Sequence, residues 1–494
     1  MLVRLPAYSG SSKHPLLPIE HHKALNRHFL ALYRCVPLYY IYRTKKYTMN
    51  IKSSVLKTGL YLVVCFITTF SNLTYGQDSI STKKINIETL FALAIHNHPN
   101  LAVSKAAVDI AKQKTAVAKL KTLPELNVSA SAFYLGNAAL IEKNLSGAEK
   151  VPLPHFGNNY SLEAKELIWK GGMIKNTIKA SSLGEELAEL DHLNEEQDIK
   201  ILVLGYYLDL FKLGNQEQVY NQNIELAQKR LELTEKLYKQ GMITKNDVIR
   251  NQLQISELRL TKEVIQNNMR ILNDELIVAL GLPEGTVIKP DDSILKAHFQ
   301  PQDLTTLKQE AYTSNPTIQL AAKETELLYT DKDITKSEKS PALSIFAGNE
   351  LVKPITNVMP VIDKYMNTWN VGVSLSYNIA SLYSTNKKLK LNDLQIEKNK
   401  KYELALKQKT SVAVNNAYIK YNEAYSQRNT LEYNKALADE NYRIIEKKYL
   451  NQLALIVDIM DASNSKLEAE LKYTNAEINI VYAYYKLLKE TGKI

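Results

Sequence analysis

The chain has 494 residues, of which 45% are hydrophobic and 23% charged, and this composition excludes a disordered tail or a low-complexity fibre. The formal net charge is +10, but residues 1–76 hold ten bases and one acid, so the rest carries 52 bases against 51 acids. A near-neutral body argues against a nucleic-acid-binding protein, because such proteins neutralise phosphates with clustered Lys and Arg. Cys35 and Cys65 also precede residue 77, so the body has no thiol for catalysis, a disulfide or a metal site.

Residues 49–76 have the three parts of a secretory signal peptide. Two lysines precede an apolar run at about 60–70, and small or polar residues follow it. The run is shorter than the roughly 20 apolar residues that a spanning helix needs, which disfavours a permanent membrane anchor. We therefore predict cleavage just before Gln77. We also expect translation to start at Met49, which makes residues 1–48 a non-native upstream extension.

The body is an internal duplication. Its first part repeats at an offset of 217 residues and its later part at an offset of 211. The matching residues at the first offset are Leu90, Ala94, Pro99 and Pro124 with Leu307, Ala311, Pro316 and Pro341. Those at the second include Tyr207, Tyr238, Asp247 and Gly281 with Tyr418, Tyr449, Asp458 and Gly492. We expect a first repeat at 77–282, a linker at 283–302 and a second repeat at 303–494.

Each half is predicted to contain two helices, a strand, a long loop, a second strand and two very long helices. In the first half, the helices at 89–97 and 101–121 are separated by Pro99, whose ring disfavours helix at the residue before it. Apolar and polar residues alternate in the strands, so each strand has one apolar and one polar face. The predicted strands are 126–132, 160–164, 343–347 and 371–377.

The helices that follow the strands are unusually long. Residues 173–240 and 384–450 contain no proline, and apolar residues recur in them at spacings of three, four and seven. Such a helix forms a rod of roughly 100 Å, which is not stable alone and is typical of a coiled coil. We predict that the return helices at 244–280 and 455–489 complete two antiparallel hairpins.

The strands need a partner for their apolar faces. A secreted chain can place these faces against the lipid of an outer membrane while the polar faces line water. Four strands cannot close a barrel, and an open sheet edge in hydrocarbon is costly. Three chains would supply twelve strands, within the even-numbered range of such barrels. The alternative is a soluble β-sandwich under helices, which the long loops and rods fit poorly.

The predicted mature chain resembles the TolC-like family of outer-membrane efflux proteins over its whole length. The resemblance rests on motifs that are weak singly but occur in order and in duplicate. They are AIHNHPNL (94–101) with its copy AYTSNPTI (311–318), LIWKGG (167–172), WNVGVSLSYNI (369–379), and the helix-tip segments YKQGMITKNDVIRN (238–251) and YLNQLALIVDIMDA (449–462).

The resemblance implies a mainly α fold with a small β part. Long antiparallel coiled-coil hairpins and four transmembrane strands per chain would form a homotrimer, with a 12-stranded barrel in outer-membrane lipid and a periplasmic α-helical tunnel. It also implies docking to a periplasmic adaptor and an inner-membrane RND or ABC transporter, as the passive duct of a tripartite efflux or type I secretion system. A secreted periplasmic coiled-coil structural or adaptor protein remains the alternative, and it would stay soluble without detergent.

The helix tips hold the candidate gate. Asp458 and Asp461 are three residues apart, so they share a helix face, and threefold symmetry would gather six carboxylates that attract cations. Alternatively, both acids simply occupy the first turns of a return helix, where the helix dipole favours negative charge. For Asp247 the helix-dipole interpretation is favoured, because Arg250 occupies the position in the first half that corresponds to Asp461 in the second.

Tyr449 is a further gate candidate. In the resembled family, this position belongs to hydrogen bonds that hold the tip closed, but Ala454 stands here in place of the usual basic partner. A simple packing role in the coiled coil is the alternative.

The remaining motifs favour turns over chemistry. Gly171 and Gly172 lack the flanking residues of a phosphate-binding loop and predict a bend between strand and helix. Gly241 and Asn451 predict the helix-tip turns. No nucleophile, base and orienting group fall into a catalytic pattern, and the histidines are scattered, so we expect neither enzymatic activity nor a cofactor or metal.

Overall fold

The computed structural model describes residues 82–293 and 299–494. The predicted upstream extension (1–48), the predicted signal peptide (49–76) and both cysteines lie outside these residues. The helices are α1 (Ile87–Asn97), α2 (Pro99–Lys119), α3 (Met173–Lys239), α4 (Lys245–Leu280), α5 (Leu304–Ser314), α6 (Pro316–Ser337), α7 (Ser381–Leu450) and α8 (Ile456–Thr491). The strands are β1 (Thr82–Ile85), β2 (Glu125–Tyr134), β3 (Ala138–Ile141), β4 (Ala148–Val151), β5 (Phe156–Trp169), β6 (Val287–Pro290), β7 (Ala342–Lys353) and β8 (Met366–Ser376).

The predicted helices and sheet strands are confirmed, with bounds that differ by only a few residues except where the sheet strands prove longer. The elements repeat at the sequence offsets. The helices α1 and α5 begin 217 residues apart, and α4 and α8 begin and end 211 residues apart. Proline opens both α2 and α6, where its missing N–H has no helical partner to lose.

In the described residues the six longer helices form four rods. The first consists of α2 and α4, which lie along different parts of α3: Lys112 of α2 pairs with Glu189, whereas Gln266 of α4 binds Glu217. The second rod is α3, the third is α6 with α8, and the fourth is α7. The rods are ordered as the strands are in the antiparallel sheet, β2-β5-β7-β8. The order of the strands across the sheet is therefore the order of the rods to which they connect.

The main apolar core lies where α1, the middle of α3 and the end of α4 meet β1 and β6. The two short strands pair in parallel, with Ile85 opposite Pro290. Thus the segment predicted as a linker contains a strand that reaches back to the start of the described chain. Two four-residue strands give no usable alternation, and this is why the sequence did not reveal them. Likewise, the first long loop contains a β3-β4 hairpin that was not predicted.

A buried tyrosine ties this core together. The Tyr207 hydroxyl donates to the carbonyl of Ile85 at 2.7 Å and accepts from the N–H of Asp291 at 2.8 Å. Burial raises the pKa of Tyr207 to about 12. The side chain therefore links α3 to both short strands in its neutral form.

We expect Tyr207→Phe to lower the free energy of unfolding by about 1–3 kcal/mol, because one buried and one partly buried backbone group lose their partner. A phenol with a raised pKa contributes stability that is complete below its unfolded pKa near 10 and is lost as pH rises toward 12. Wild type should therefore lose more stability than Tyr207→Phe between pH 10 and 12. Denaturant unfolding of detergent-solubilised protein measures this, with Tyr418→Phe, the counterpart in the second half, as control. Parallel pH profiles for wild type and Tyr207→Phe would contradict the assignment.

Glycines that end helices provide a second test. Gly281 ends α4 at φ +61°, and a Cβ there would lie 2.7 Å from the Cβ of Asn97, whose amide donates to Leu280 at 2.8 Å. Gly241 follows the end of α3, with φ +75° and nothing within 4 Å of a Cβ built there. We expect Gly281→Ala to cost about 2–4 kcal/mol, since strain and overpacking add, but Gly241→Ala only about 1–2 kcal/mol. Thermal unfolding of the two variants decides it, and equal losses would exclude a role for the contact.

Candidate functional site

The sheet has one apolar and one polar side. On the apolar side, the register aligns Val128, Leu162, Asn349 and Trp369 across the four strands. Its large side chains are exposed at both edges, with Val128 80% and Trp369 77% accessible. No described helix of the chain buries them, so this surface is left exposed in a single chain.

The opposite side of the sheet is mostly small and polar, although Phe133 and Phe346 also lie there, over Gly157 and Gly372. Ser129 and Ser161 share a hydrogen bond of 2.7 Å across β2 and β5, and Asn159 donates to Glu350 at 2.9 Å across β5 and β7. Glu125 stands opposite Lys165 in the register. This side suits contact with water, as the alternation in the sequence predicts.

The chain turns from sheet to rod at paired glycines. Gly171 and Gly172 both have positive φ, of +57° and +82°. A side chain at Gly171 would also collide with Ser340, which follows the end of α6. The bend therefore needs glycine for its backbone angles and for the close approach of the other half.

The two helix tips are built alike. At the first, the carboxylate of Asp247 accepts from the backbone N–H and the hydroxyl of Thr244, at 2.9 and 2.8 Å. At the second, Asp458 accepts from the N–H of Leu455 at 2.8 Å. Both acids thus cap the start of a return helix within one chain, the role that the dipole argument gives them.

The left-handed residue of each tip is Gly241 in the first and Gln452 in the second, with φ of +75° and +59°. Asn451, predicted for the turn, lies in it directly before Gln452 and donates its side-chain amide to the carbonyl of Lys447 at 2.8 Å. The amide of Gln452 lies 3.9 Å from the sulfur of Met242, so the two tips of a chain are side by side.

The other gate candidates differ in exposure. Asp461 is exposed one turn beyond Asp458. Tyr449 is 6% accessible and packs among Tyr442, Ile456 and Ile459, and its hydroxyl has no hydrogen-bond partner in the described residues. A single chain does not join Tyr449 to either acid.

A buried arginine near the tips was not anticipated from the sequence. The guanidinium of Arg230 on α3 donates to Asn251 at 2.9 Å and to Gln254 at 2.5 Å, both on α4. Burial lowers the pKa of Arg230, and the nearby Tyr442, Tyr449 and Glu446 of α7 oppose this shift. The arginine therefore lies within electrostatic reach of the buried tyrosines of the second hairpin.

Comparison of the halves could have revealed this cluster. At the 211-residue offset, Arg230, Asn251 and Gln254 correspond to Asn441, Ala462 and Ser465. The first hairpin thus has a polar interior near its tip where the second is apolar, around Tyr442 and Tyr449. Such a loss of symmetry within a duplicated chain indicates a specialised position.

A metal site and a helix that could span a membrane are both absent from the described residues. No group of three or more His, Cys, Asp or Glu side chains there is arranged to hold a metal ion. Over the same residues, no helix combines the length and the apolar character needed to cross a membrane.

Solved structures with the same fold are outer-membrane proteins. The outer-membrane channel OprN is 16% identical with a TM-score of 0.69, over 83% of this chain and 90% of that one. VceC from Vibrio cholerae is 14% identical with a TM-score of 0.68, over 82% and 96%. The open state of the Neisseria gonorrhoeae channel MtrE is 14% identical with a TM-score of 0.60, over 82% and 88%.

Scans against protein-family models and against curated proteins found no match. The structural matches nevertheless cover most of both chains in each comparison. The resemblance inferred from the sequence motifs is confirmed at the level of the fold, and this chain has the fold of outer-membrane channels.

Proposed function

We propose that the chain is one third of a passive exit duct in an outer membrane, and that partner proteins supply the energy. The observation that carries the proposal is the sheet, whose apolar side is exposed from Val128 on β2 to Trp369 on β8. A water-soluble protein would cover such a surface. Hydrocarbon on one side and a water-filled lumen on the other suit both faces.

The edges of the sheet support a ring of copies. In the described residues, β2 and β8 each pair on one side only, which leaves backbone donors and acceptors free. Such groups are costly in lipid, so β8 of one copy is expected to pair with β2 of the next. Three copies give twelve strands and a closed barrel.

The rods support the same closure. Exposed apolar side chains concentrate on the first and fourth rods, which have a neighbouring rod on one side only in the described residues. On the first rod they recur at heptad spacing, a coiled-coil pattern. The first rod exposes Val103, Ile110, Val117, Leu253, Leu260, Val264, Ile271 and Val278, and the fourth exposes, among others, Tyr402, Val412, Ile419, Tyr433 and Leu437. These two seams would meet between copies and close a helical tunnel in the periplasm.

The partners are proposed from the family resemblance. A periplasmic adaptor and an inner-membrane RND or ABC transporter would feed the tunnel, in a tripartite efflux or type I secretion system. Exposed apolar side chains at the helix tips support a protein partner there. Met242 is 51%, Leu453 77% and Leu455 72% accessible.

A secreted coiled-coil scaffold is the second candidate. It would use the rods equally well, but it would have to bury Val371, Val373 and Leu375, which are all at least 67% accessible. The sheet therefore favours the duct.

Disulfide trapping tests the ring. The chain has only Cys35 and Cys65, both before the body, so new cysteines there have no competitors. Ser131→Cys on β2 is combined in turn with Asn370→Cys, Ser374→Cys or Ser376→Cys on β8. Within a chain these strands are about 14 Å apart, too far for a disulfide. One combination should give covalent trimers in membranes, and the purified trimer should conduct in planar bilayers. A soluble monomer with this fold would refute the duct.

A further inference from the structure

A groove of about 490 Å³ lies between the end of α2 and the start of α3, where the sheet meets the rods. Ile168 and Trp169 form its strand side, and Lys170, Met173 and Lys175 its helix side. Trp169 pairs in register with Leu343, which is on the apolar side of the sheet. The groove therefore opens toward the surface that the proposed barrel presents to lipid.

Lys170 and Lys175 line the groove, and further lysines lie at the adjoining helix ends and at the matching passage in the second half. We name them the basic belt, and none of them forms an ion pair in the described residues. The basic belt consists of Lys119, Lys121, Lys170, Lys175, Lys336, Lys387 and Lys390. The acid Glu166 also lines the groove, but Lys170 and Lys175 leave an excess of positive charge there.

The opposite rim of the sheet has no such excess. The loops at 135–155 and 354–365 together contain three acids and three bases. The unpaired lysines of the basic belt thus lie on the helix side of the sheet, whereas the acids and bases of the opposite rim are equal in number. Solubility does not require the two rims of the sheet to differ in charge. Attraction of the helix-side rim to an anionic surface does require it.

We propose that the groove binds an acidic phospholipid from the leaflet on the helix side of the membrane. Lys170 and Lys175 would hold the headgroup phosphate, while an acyl chain lies against Ile168 and Trp169. A tryptophan beside lysines at the end of a membrane strand suits the border between headgroups and hydrocarbon. This inference rests on the proposed barrel, because it requires the apolar side of the sheet to contact lipid.

The two tryptophans of the chain serve as reporters. Trp169 lines the groove, whereas Trp369 lies on β8, nearer the loop end of the strand. The full chain carrying Trp369→Phe is reconstituted in phosphatidylcholine bilayers that contain brominated phosphatidylglycerol or brominated phosphatidylcholine. We expect the acidic lipid to be preferred near Trp169 by about fivefold, the contribution of one lysine at an anionic surface. Trp369, measured alone with Trp169→Phe, should show no preference.

A charge-neutralised groove and a matched control define the site. Changing Lys121, Lys170 and Lys175 together to glutamine should reduce the preference near Trp169 to about one. Changing three exposed lysines of the tips, Lys236, Lys239 and Lys447, should leave it unchanged. A trimer check on gels ensures that both variants assemble.

Three results would overturn the proposal. They are equal quenching of Trp169 by both lipids in wild type, a preference that survives in the groove variant, and a preference abolished by inorganic phosphate at constant ionic strength. The last would mean that the groove takes free phosphate. If brominated lipid quenches neither tryptophan, the chain is not in the bilayer, and the barrel itself is refuted rather than the groove alone.

Discussion

Replacing Val373 by lysine should abolish the assembled channel, whereas replacing the next residue, Ser374, by lysine should not. The two residues are adjacent on β8 but point to opposite sides of the sheet, and Val373 is 67% accessible on the apolar side. A lysine in hydrocarbon costs up to about 2–4 kcal/mol near the midplane, and the cost is incurred three times in a trimer. A lysine at Ser374 would extend into the water-filled lumen instead.

The amount of trimer in the outer-membrane fraction measures this difference. We expect little or none for Val373→Lys and near wild-type amounts for Ser374→Lys, which should also make the channel less selective for cations. If both variants assembled equally, β8 would not separate lipid from water, and the barrel would have to be abandoned. If neither variant assembled, Val373→Thr and Ser374→Thr would show whether the strand excludes a charge or any substitution.

Removing charge from Asp458 and Asp461 should weaken block of the channel by divalent or trivalent cations added from the periplasmic side by about tenfold or more. In a closed trimer, three copies of each acid would surround the axis, and their summed attraction for a cation is large even in a high dielectric. Mutual repulsion among these carboxylates would also favour opening of the channel once a partner releases the tips. This gate stays a prediction.

The structure decides which substitutions to use. Asp458 accepts a hydrogen bond from Leu455, so alanine would also remove a helix cap. Asp458→Asn with Asp461→Asn keeps an acceptor and removes only the charge. Asp247→Asn is the matched control, since Asp247 caps the first tip in the same way and is followed by Arg250.

Single-channel recording in planar bilayers gives the result. Strong loss of block in the double variant, with little change for Asp247→Asn, would identify Asp458 and Asp461 as the gate. Unchanged block would mean that these acids only start their helices, and the dipole interpretation would stand.

Much of the fold is determined by local sequence pattern. The alternation in β2, β5, β7 and β8 predicted both the strands and their apolar sides, because successive side chains of a β-strand point to opposite faces of the sheet. The long proline-free repeats predicted α3 and α7 over nearly their whole lengths. Paired glycines at 171–172 predicted the bend, since few other residues tolerate positive φ.

Only the tertiary structure decided how distant segments meet. The pairing of β1 with β6, the hydroxyl of Tyr207 between them and the cluster around Arg230 join residues that are far apart in sequence or on different helices. The left-handed Gln452 was hidden because glutamine carries no local preference for that conformation. Periodicity reports which side of an element is apolar, but not which neighbour covers it. That choice depends on packing between elements, which one chain satisfies in the core around Tyr207 but not on the apolar side of the sheet or along the two outer rods.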